Sequence, residues 1–210
     1  MEKLAQTQFP IHDLLVHRWS PRAFEEKPVE SHTLCSLFEA ARWAPSSNNE
    51  QPWRFIMAKK ADHETEWKRL FDCLAEGNRR WAFRAPVLML SIASINFEED
   101  GKPNRHAFHD TGLAVENLVL QATAHGLAAH QMAGFDVEKA RVDLRIPLGY
   151  DPVAMIAIGY PGDPAVLPDR LRERELRPRD RRPIEEWTFV AQWGTPFSSS
   201  AVVREEESNR

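Results

Sequence analysis

Apolar residues recur along the chain at two spacings, which predicts a mixture of helices and strands. Apolar positions three and four residues apart are typical of amphipathic helices, and short, nearly continuous apolar runs are typical of strands covered on both faces. The first pattern predicts five helices, at residues 10–17, 31–44, 62–78, 105–125 and 136–145. The second predicts four strands, at residues 53–58, 87–95, 127–132 and 152–160.

Three of the predicted helices carry explicit predictions of their ends or of their buried faces. The third helix is predicted to begin at Asp62 and to close at Gly77 and Asn78, which are typical helix-ending residues. In the last predicted helix, Val137, Ala140 and Leu144 are predicted to point inward. The long fourth helix is predicted to bury one row of residues: Phe108, Gly112, Val115, Leu118, Val119 and Ala122.

The chain changes character at Pro161, where proline and arginine become frequent and apolar periodicity is lost until residues 187–193. A tail without its own core commonly packs on something else or stays disordered. We therefore predict one α+β domain over residues 1–210. It has a central sheet of about four strands, helices on both faces, and residues 161–210 as an extended C-terminal arm.

Composition limits the classes of protein that this chain can represent. Its 210 residues are 42% hydrophobic and 28% charged, which is ordinary for a globular protein. The longest apolar stretch, residues 86–95, is too short to span a bilayer, and residues 1–10 do not resemble a secretory signal. Two cysteines without a CxxC pair fit a reducing cytoplasm. A net charge of −4 argues against nucleic acid as the main partner.

Two residue types are unusually frequent. Arginine outnumbers lysine 20 to 7, and seven of the arginines lie between Arg170 and Arg182. Of the 7 tryptophans, Trp187 and Trp193 lie on the predicted arm. Aromatic residues often anchor interfaces, so we favour burial of these two against a partner subunit, with an aromatic lid over a ligand as the alternative.

Most common catalytic motifs are missing from the sequence. It contains no GxGxxG turn, P-loop, HExxH or GxSxG elbow, and no side chain is predicted to be catalytic. His106, His109 and Asp110 have a spacing that could hold a metal, but we interpret them as a solvated helix start and predict no metal site.

Three segments have compositions suited to ligand binding. Arg18-Trp19-Ser20-Pro21-Arg22 combines two guanidinium groups with a hydroxyl, as a phosphate requires. Residues 45–52 place hydroxyl and amide side chains between two prolines, which suits the polar rim of a flat heterocycle. Residues 131–134 end a strand in a small residue and glycine, so that backbone can approach a ligand closely.

These segments, taken in order, resemble the nitroreductase family of FMN flavoproteins over about residues 18–183. The resemblance is carried by a series of short motifs. They are Arg18-x-Ser20-x-Arg22-x-Phe24, Ala44-Pro45-Ser46-x-x-Asn49-x-Gln51-Pro52-Trp53-x-Phe55, Asn78-x-x-Trp81 before Ala85-Pro86-Val87, Gly126-Leu127 with Gly134-Phe135, Ile146-Pro147, and residues 156–161.

The resemblance implies a homodimer built on a mainly antiparallel sheet, with one FMN at each end of the subunit interface and the arm completing the dimer. It assigns cofactor contacts to several residues. Those on the phosphate side are Arg18, Trp19, Ser20, Arg22, Arg179 and Arg181. Those from the other subunit are Pro45, Ser46, Ser47 and Asn49, and those along the flavin ring are Asn78, Gln131, Met132, Ala133 and Gly134.

The resemblance also implies an activity, in which NAD(P)H reduces the flavin at N5 and a small oxidised acceptor, such as a nitroaromatic or a quinone, then reoxidises it in a ping-pong cycle. Two departures from the family pattern are Arg79-Arg80 in place of a lysine, and Asp110 in place of a glutamine. The alternatives are flavin storage or sensing without turnover, dehalogenation or enoate reduction on the same scaffold, or an arginine-armed module that binds phosphate-rich partners.

Overall fold

The computed structural model describes residues 2–198 and contains the predicted alternation of helices and strands. The helices are α1 (Asp13–His17), α2 (Ser31–Arg42), α3 (Glu64–Asp72), α4 (Glu76–Ala82), α5 (Ala107–Ala124), α6 (Val137–Asp143) and α7 (Asp169–Leu176). The strands are β1 (Trp53–Lys59), β2 (Val87–Ser94), β3 (Ala128–Met132) and β4 (Tyr150–Gly159).

The four strands form one antiparallel sheet in the order β1-β2-β4-β3. The two central strands, β2 and β4, are apolar on both faces, which explains their nearly continuous apolar runs. Along β2, Leu88 and Leu90 face one side of the sheet, whereas Val87 and Met89 face the other. The α+β class and the four-stranded antiparallel sheet flanked by helices are therefore confirmed.

Helices cover the two faces of this sheet. On one face, α2 and α5 bury side chains such as Leu37 and Leu118 with those of β2 and β4. On the other face, α3 and α4 bury Trp67, Leu70 and Trp81. The apolar spacing within each of these helices gives the buried side chains a common direction, which is why the sequence predicts them well.

The helix predicted over residues 62–78 is wrong in its second half. The helix stops at Asp72, Leu74 forms an antiparallel bridge with Phe135, and a new helix, α4, begins at Glu76. Two hydrogen bonds across this break, from Ala75 N to Gly134 O and from Asp136 N to Cys73 O, replace those that a continuous helix would make. Gly77 and Asn78 consequently lie inside α4.

The buried faces predicted for α5 and α6 are also wrong in part. Phe108 is 49% exposed, Gly112 is exposed, and Val137 at the start of α6 is 37% exposed. The buried row of α5 instead begins with Ala107 and Thr111, which directly precede Phe108 and Gly112 in the sequence. Apolar spacing alone does not separate two adjacent rows of the same helix.

The chain divides into two compact units, Met1–Arg177 and Pro178–Arg210. In the first unit, α7 follows a short 3-10 turn at Pro164–Val166. The described part of the second unit, residues 178–198, contains a 3-10 turn at Ile184–Glu186 and a ring contact of 4.7 Å between Phe189 and Trp193. Among residues 2–198, no helix has both the length and the apolar character needed to cross a membrane.

Candidate functional site

The segment that carries Arg18, Trp19, Ser20 and Arg22 runs in extended form after α1. Arg18 ends that helix, and Pro21 disfavours its continuation. The Arg18 Nη1 lies 3.5 Å from the Ser20 Oγ, so a guanidinium and a hydroxyl are close together, as predicted. Ser20 is exposed, and the ring of Trp19 lies 5.2 Å from the Lys3 Nζ.

Arg22 has a partner that the sequence does not reveal, the buried carboxylate of Glu175 on α7. The Glu175 Oε1 accepts hydrogen bonds from Arg22 N at 2.6 Å and from Ala23 N at 3.1 Å. Its Oε2 lies 3.4 Å from the Arg22 Nη1. The two residues are 153 positions apart in the sequence. Glu175 lies in a run of alternating charges, a pattern that is typical of a solvent-exposed segment.

His130, in the middle of β3, anchors this segment to the sheet. Its Nδ1 lies 2.9 Å from the Pro21 carbonyl oxygen, and its ring packs 4.6 Å from that of Trp81. Burial lowers the pKa of His130 from 6.5 to about 4, and the nearby charge of Arg22 acts in the same direction. The imidazole is therefore neutral at physiological pH and donates its Nδ1 proton to Pro21.

We expect His130 to make the fold less stable in acid. The unfolded imidazole titrates near 6.5 and the folded one near 4, so the unfolded chain binds more protons between these values. The free energy of unfolding should therefore fall by about 2 kcal/mol between pH 7.5 and pH 4.5 on account of this group. Urea unfolding at both pH values should show this loss, and His130→Gln should reduce it. The exposed His32→Gln should not, and an equal acid loss in His130→Gln would contradict the prediction.

Asn78 and Gly134, predicted to lie along the flavin ring, are in direct contact. The Asn78 Nδ2 donates a hydrogen bond of 2.9 Å to the Gly134 carbonyl oxygen, which also accepts one from Ala75 N. A Cβ atom at position 134 would lie only 2.9 Å from the Asn78 Nδ2. A side chain at position 134 would therefore displace the Asn78 amide and disturb its hydrogen bond to the Gly134 carbonyl oxygen.

The other residues at the end of β3 differ in exposure. Met132 is 3% exposed and packs in the core, so its side chain does not reach a ligand. Gln131, Ala133 and Gly134 are exposed. The strand end therefore presents one long polar side chain and a stretch of backbone next to Asn78.

The proline-bounded loop over residues 45–52 has an unusual backbone. Asn48, Asn49 and Gln51 have positive φ angles of 53°, 57° and 51°. Asparagine tolerates this region better than most residues, which accounts for part of the amide richness of the loop. The Ser46 Oγ accepts a hydrogen bond from Gln51 N at 3.0 Å and closes the turn.

Asp110 fixes this loop to the start of α5, and its interpretation as part of a solvated helix start is wrong. It is 3% exposed, and its Oδ2 accepts a hydrogen bond of 2.9 Å from Ser47 N. Its Oδ1 lies 2.9 Å from the His109 Nδ1. The part of the chain that the structure describes contains no group of three or more side chains arranged to hold a metal.

Removing the Asp110 carboxylate is expected to destabilise the protein. Asp110→Ala leaves the Ser47 N–H without its acceptor, which should lower the free energy of unfolding by about 1–3 kcal/mol. Asp110→Asn keeps an oxygen that can accept this bond and should cost less. Chemical denaturation of both variants and of an exposed control, Asp180→Ala, measures the difference. Equal stability of Asp110→Ala and the wild type would refute the anchoring role.

Four further arginines were named in the sequence analysis. Arg80 pairs with Glu76 at 2.5 Å, whereas Arg79 is exposed on the same helix. Arg179 and Arg181 belong to the second unit, and the Arg181 Nη1 donates to the Asp180 carbonyl oxygen at 2.7 Å. A phosphate contact by Arg179 or Arg181 stays a prediction.

Two of the three predicted segments are brought together by β3. His130 binds the first segment and Gly134 binds Asn78, and four residues of chain span at most about 14 Å. The Arg18–Arg22 segment, His130, and the Gly134–Asn78 contact thus form a row along β3. One end of this row offers guanidinium and hydroxyl groups, which suit a phosphate. The other end offers a closely packed backbone, which suits a flat ring.

Comparison with known proteins identifies relatives over most of the chain. A model of the nitroreductase family matches residues 15–160. An uncharacterised 15.4 kDa protein of Mycolicibacterium smegmatis is 37% identical over 150 residues, covering 69% of this chain and 99% of that protein. A Streptomyces coelicolor protein, provisionally named NADH dehydrogenase/NAD(P)H nitroreductase, is 30% identical over 168 residues, covering 71% of this chain and 81% of that one.

Solved structures show the same fold. A crystal structure described as an oxidoreductase containing FMN superposes with a TM-score of 0.85 and 37% identity, covering 90% of this chain and 96% of that one. A nitroreductase family protein from Streptococcus pneumoniae superposes with a TM-score of 0.68 at 21% identity, covering 85% of this chain and 98% of that one. The second likeness concerns the fold alone.

Proposed function

This chain belongs to the nitroreductase family, and on that premise we propose that it is an FMN-dependent oxidoreductase. It passes electrons from NAD(P)H to a small oxidised acceptor such as a nitroaromatic or a quinone. The observation that carries the proposal is the row along β3, with the Arg18–Arg22 segment at one end and the Asn78–Gly134 contact at the other.

The first end of this row fits the phosphate of FMN. Arg18 and Arg22 supply charge and directed N–H groups, and Ser20 adds a hydroxyl, which together match a dianion with three acceptor oxygens. His130 holds the intervening backbone through Pro21 and stays neutral. Its neutrality leaves the charge of the site to the two arginines.

The second end fits a flat ring. Gly134 is exposed and has no side chain, and its carbonyl oxygen is held by hydrogen bonds from the Asn78 Nδ2 and from Ala75 N. Gln131 and the backbone at Ala133 are exposed beside it and can bond to the polar edge of the ring. The ring's other face then stays open to a second molecule.

The loop over residues 45–52 is proposed to reach the FMN of a partner subunit. Asp110 and three left-handed residues hold this loop in one conformation, with Pro45 and Asn49 exposed. Near this loop, the side chains of Trp43 and Phe108 are 73% and 49% exposed. Such exposure of neighbouring large apolar side chains is typical of a surface that binds another protein. We therefore propose a homodimer in which each site combines the row of one chain with the loop of the other.

Bound FMN would supply the redox chemistry of the reaction. The residues of this chain would bind its phosphate, orient its ring and leave one face accessible, so no side chain needs to act as an acid or base. With one open face, NAD(P)H and the acceptor would use the same position in turn, which is the structural basis of a ping-pong cycle.

The visible absorption of the purified protein tests this function. We expect a flavin spectrum, about one FMN per chain, and bleaching when NAD(P)H is added without oxygen, followed by recovery on addition of a nitroaromatic or a quinone. Bleaching without steady turnover would indicate flavin storage or sensing instead. A colourless protein that binds no FMN on titration, and that binds polyanions in a salt-dependent way, would overturn the proposal.

A further inference from the structure

A buried carboxylate from late in the chain lies directly behind the proposed phosphate site. Glu175 is 1% exposed and contacts Arg22 through two of that residue's groups, its backbone N–H and its guanidinium. We infer that Glu175 is a positioning residue that holds Arg22 in the conformation from which it binds the FMN phosphate. The inference rests on the proposed function, because it concerns how tightly this site binds phosphate.

The orientation of α7 shows that this contact is specific. Glu175 is the buried residue of that helix, whereas the neighbouring Leu176 is 55% exposed. A helix normally turns its apolar residue inward and its charged residue outward. Here the carboxylate is the group that is buried, which costs free energy unless its oxygens are paired.

The pairing satisfies both oxygens of the carboxylate. Its Oε1 accepts from the consecutive N–H groups of Arg22 and Ala23, which fixes the local backbone. Its Oε2 lies 3.4 Å from one guanidinium nitrogen. A guanidinium has five N–H donors, so most of them remain for another anion.

Positioning and simple electrostatics predict opposite effects of this carboxylate on FMN affinity. A negative charge beside a phosphate dianion repels it, so on charge alone removal of Glu175 should tighten binding. If Glu175 instead restricts the Arg22 side chain in advance, its removal should weaken binding, because binding must then order a mobile side chain. The sign of the change decides between the two.

Glu175→Gln is the test variant, because it keeps the size of the side chain and an oxygen for the two N–H groups but loses the charge facing Arg22. Flavin-free protein is titrated with FMN and with riboflavin, which lacks the phosphate, and flavin fluorescence is followed. We expect the dissociation constant of FMN to rise by about tenfold, the loss of one charge-assisted contact. That of riboflavin should not change.

Two controls separate positioning from a general effect on the fold. Glu173→Gln changes an exposed carboxylate of the same helix and should bind both flavins like the wild type. If Glu175→Gln does not fold, Glu175→Asp keeps the charge on a side chain too short to reach all three donors. That variant should also weaken FMN and spare riboflavin.

A double-mutant cycle with Arg22→Ala completes the experiment. If Glu175 acts through Arg22, Glu175→Gln should have no further effect on FMN affinity in the Arg22→Ala background. Tighter FMN binding by Glu175→Gln, equal weakening of FMN and riboflavin, or full additivity with Arg22→Ala would each overturn the inference. Failure of the wild type to bind either flavin would instead overturn the proposed function.

Discussion

Replacing Arg18 and Arg22 together with alanine is expected to raise the dissociation constant of FMN by about a hundredfold to ten-thousandfold. Each guanidinium forms charge-assisted hydrogen bonds worth about 1.5–3 kcal/mol, and two such losses combine to this range. Arg22→Ala alone should already raise it about tenfold. The effect is large because the other groups of the segment, Ser20 and its backbone, carry no net charge.

Fluorescence titration of flavin-free protein with FMN and with riboflavin measures this change. The double variant should lose its preference for FMN over riboflavin, since the phosphate accounts for that preference. Arg42→Ala with Arg69→Ala removes two exposed arginines and serves as a control of equal net charge. If the Arg18 and Arg22 double variant retains FMN through dialysis, this segment does not bind the phosphate.

Trp81→Ala is expected to lower the free energy of unfolding by about 3–5 kcal/mol, the usual cost of deleting a buried tryptophan. Trp81 is 1% exposed, stacks 6.2 Å from the ring of Phe24, and contacts the ring of His130. It packs from α4 against Phe24, two residues after the Arg18–Arg22 segment, and against His130 on β3. Its loss leaves a cavity behind the proposed cofactor site.

Urea unfolding of Trp81→Ala measures the stability loss, and Leu148→Ala, which removes a side chain that is 95% exposed, is the control. We also expect Trp81→Ala to weaken binding of both flavins, because His130 loses the ring against which it packs. This outcome differs from that of the Arg18 and Arg22 variant, which spares riboflavin. A stability loss below about 1 kcal/mol would contradict the burial of this residue.

The sequence predicted the fold class because most of the relevant signals are local. The strands β2 and β4 are apolar over most of their length, and the helices α2 and α5 have regular apolar spacing. In the structure the Asp136 side chain caps α6 and Gly126 follows α5 with a positive φ, so single residues of the sequence also mark the ends of these helices.

Two of the wrong predictions concern positions where a distant partner overrides the local pattern. The helix over residues 62–78 breaks because Leu74 and Ala75 bond to the chain around Gly134 and Phe135. Asp110 looks like a solvated residue of a helix start, but the loop at Ser47 buries it. The spacing of apolar residues within one element gives no information about either of these distant contacts.

The sequence by itself determined most of the elements, the antiparallel class through the family resemblance, and the three segments that make up the candidate site; the break between α3 and α4 and the helix α7 came from the structure. The tertiary structure decided how those segments are held. The contacts of Arg22 with Glu175, Ser47 with Asp110 and Asn78 with Gly134 join residues 153, 63 and 56 positions apart. Local spacing fixes the direction of a side chain within its own element, whereas the partner of a buried polar group depends on which elements the fold places side by side.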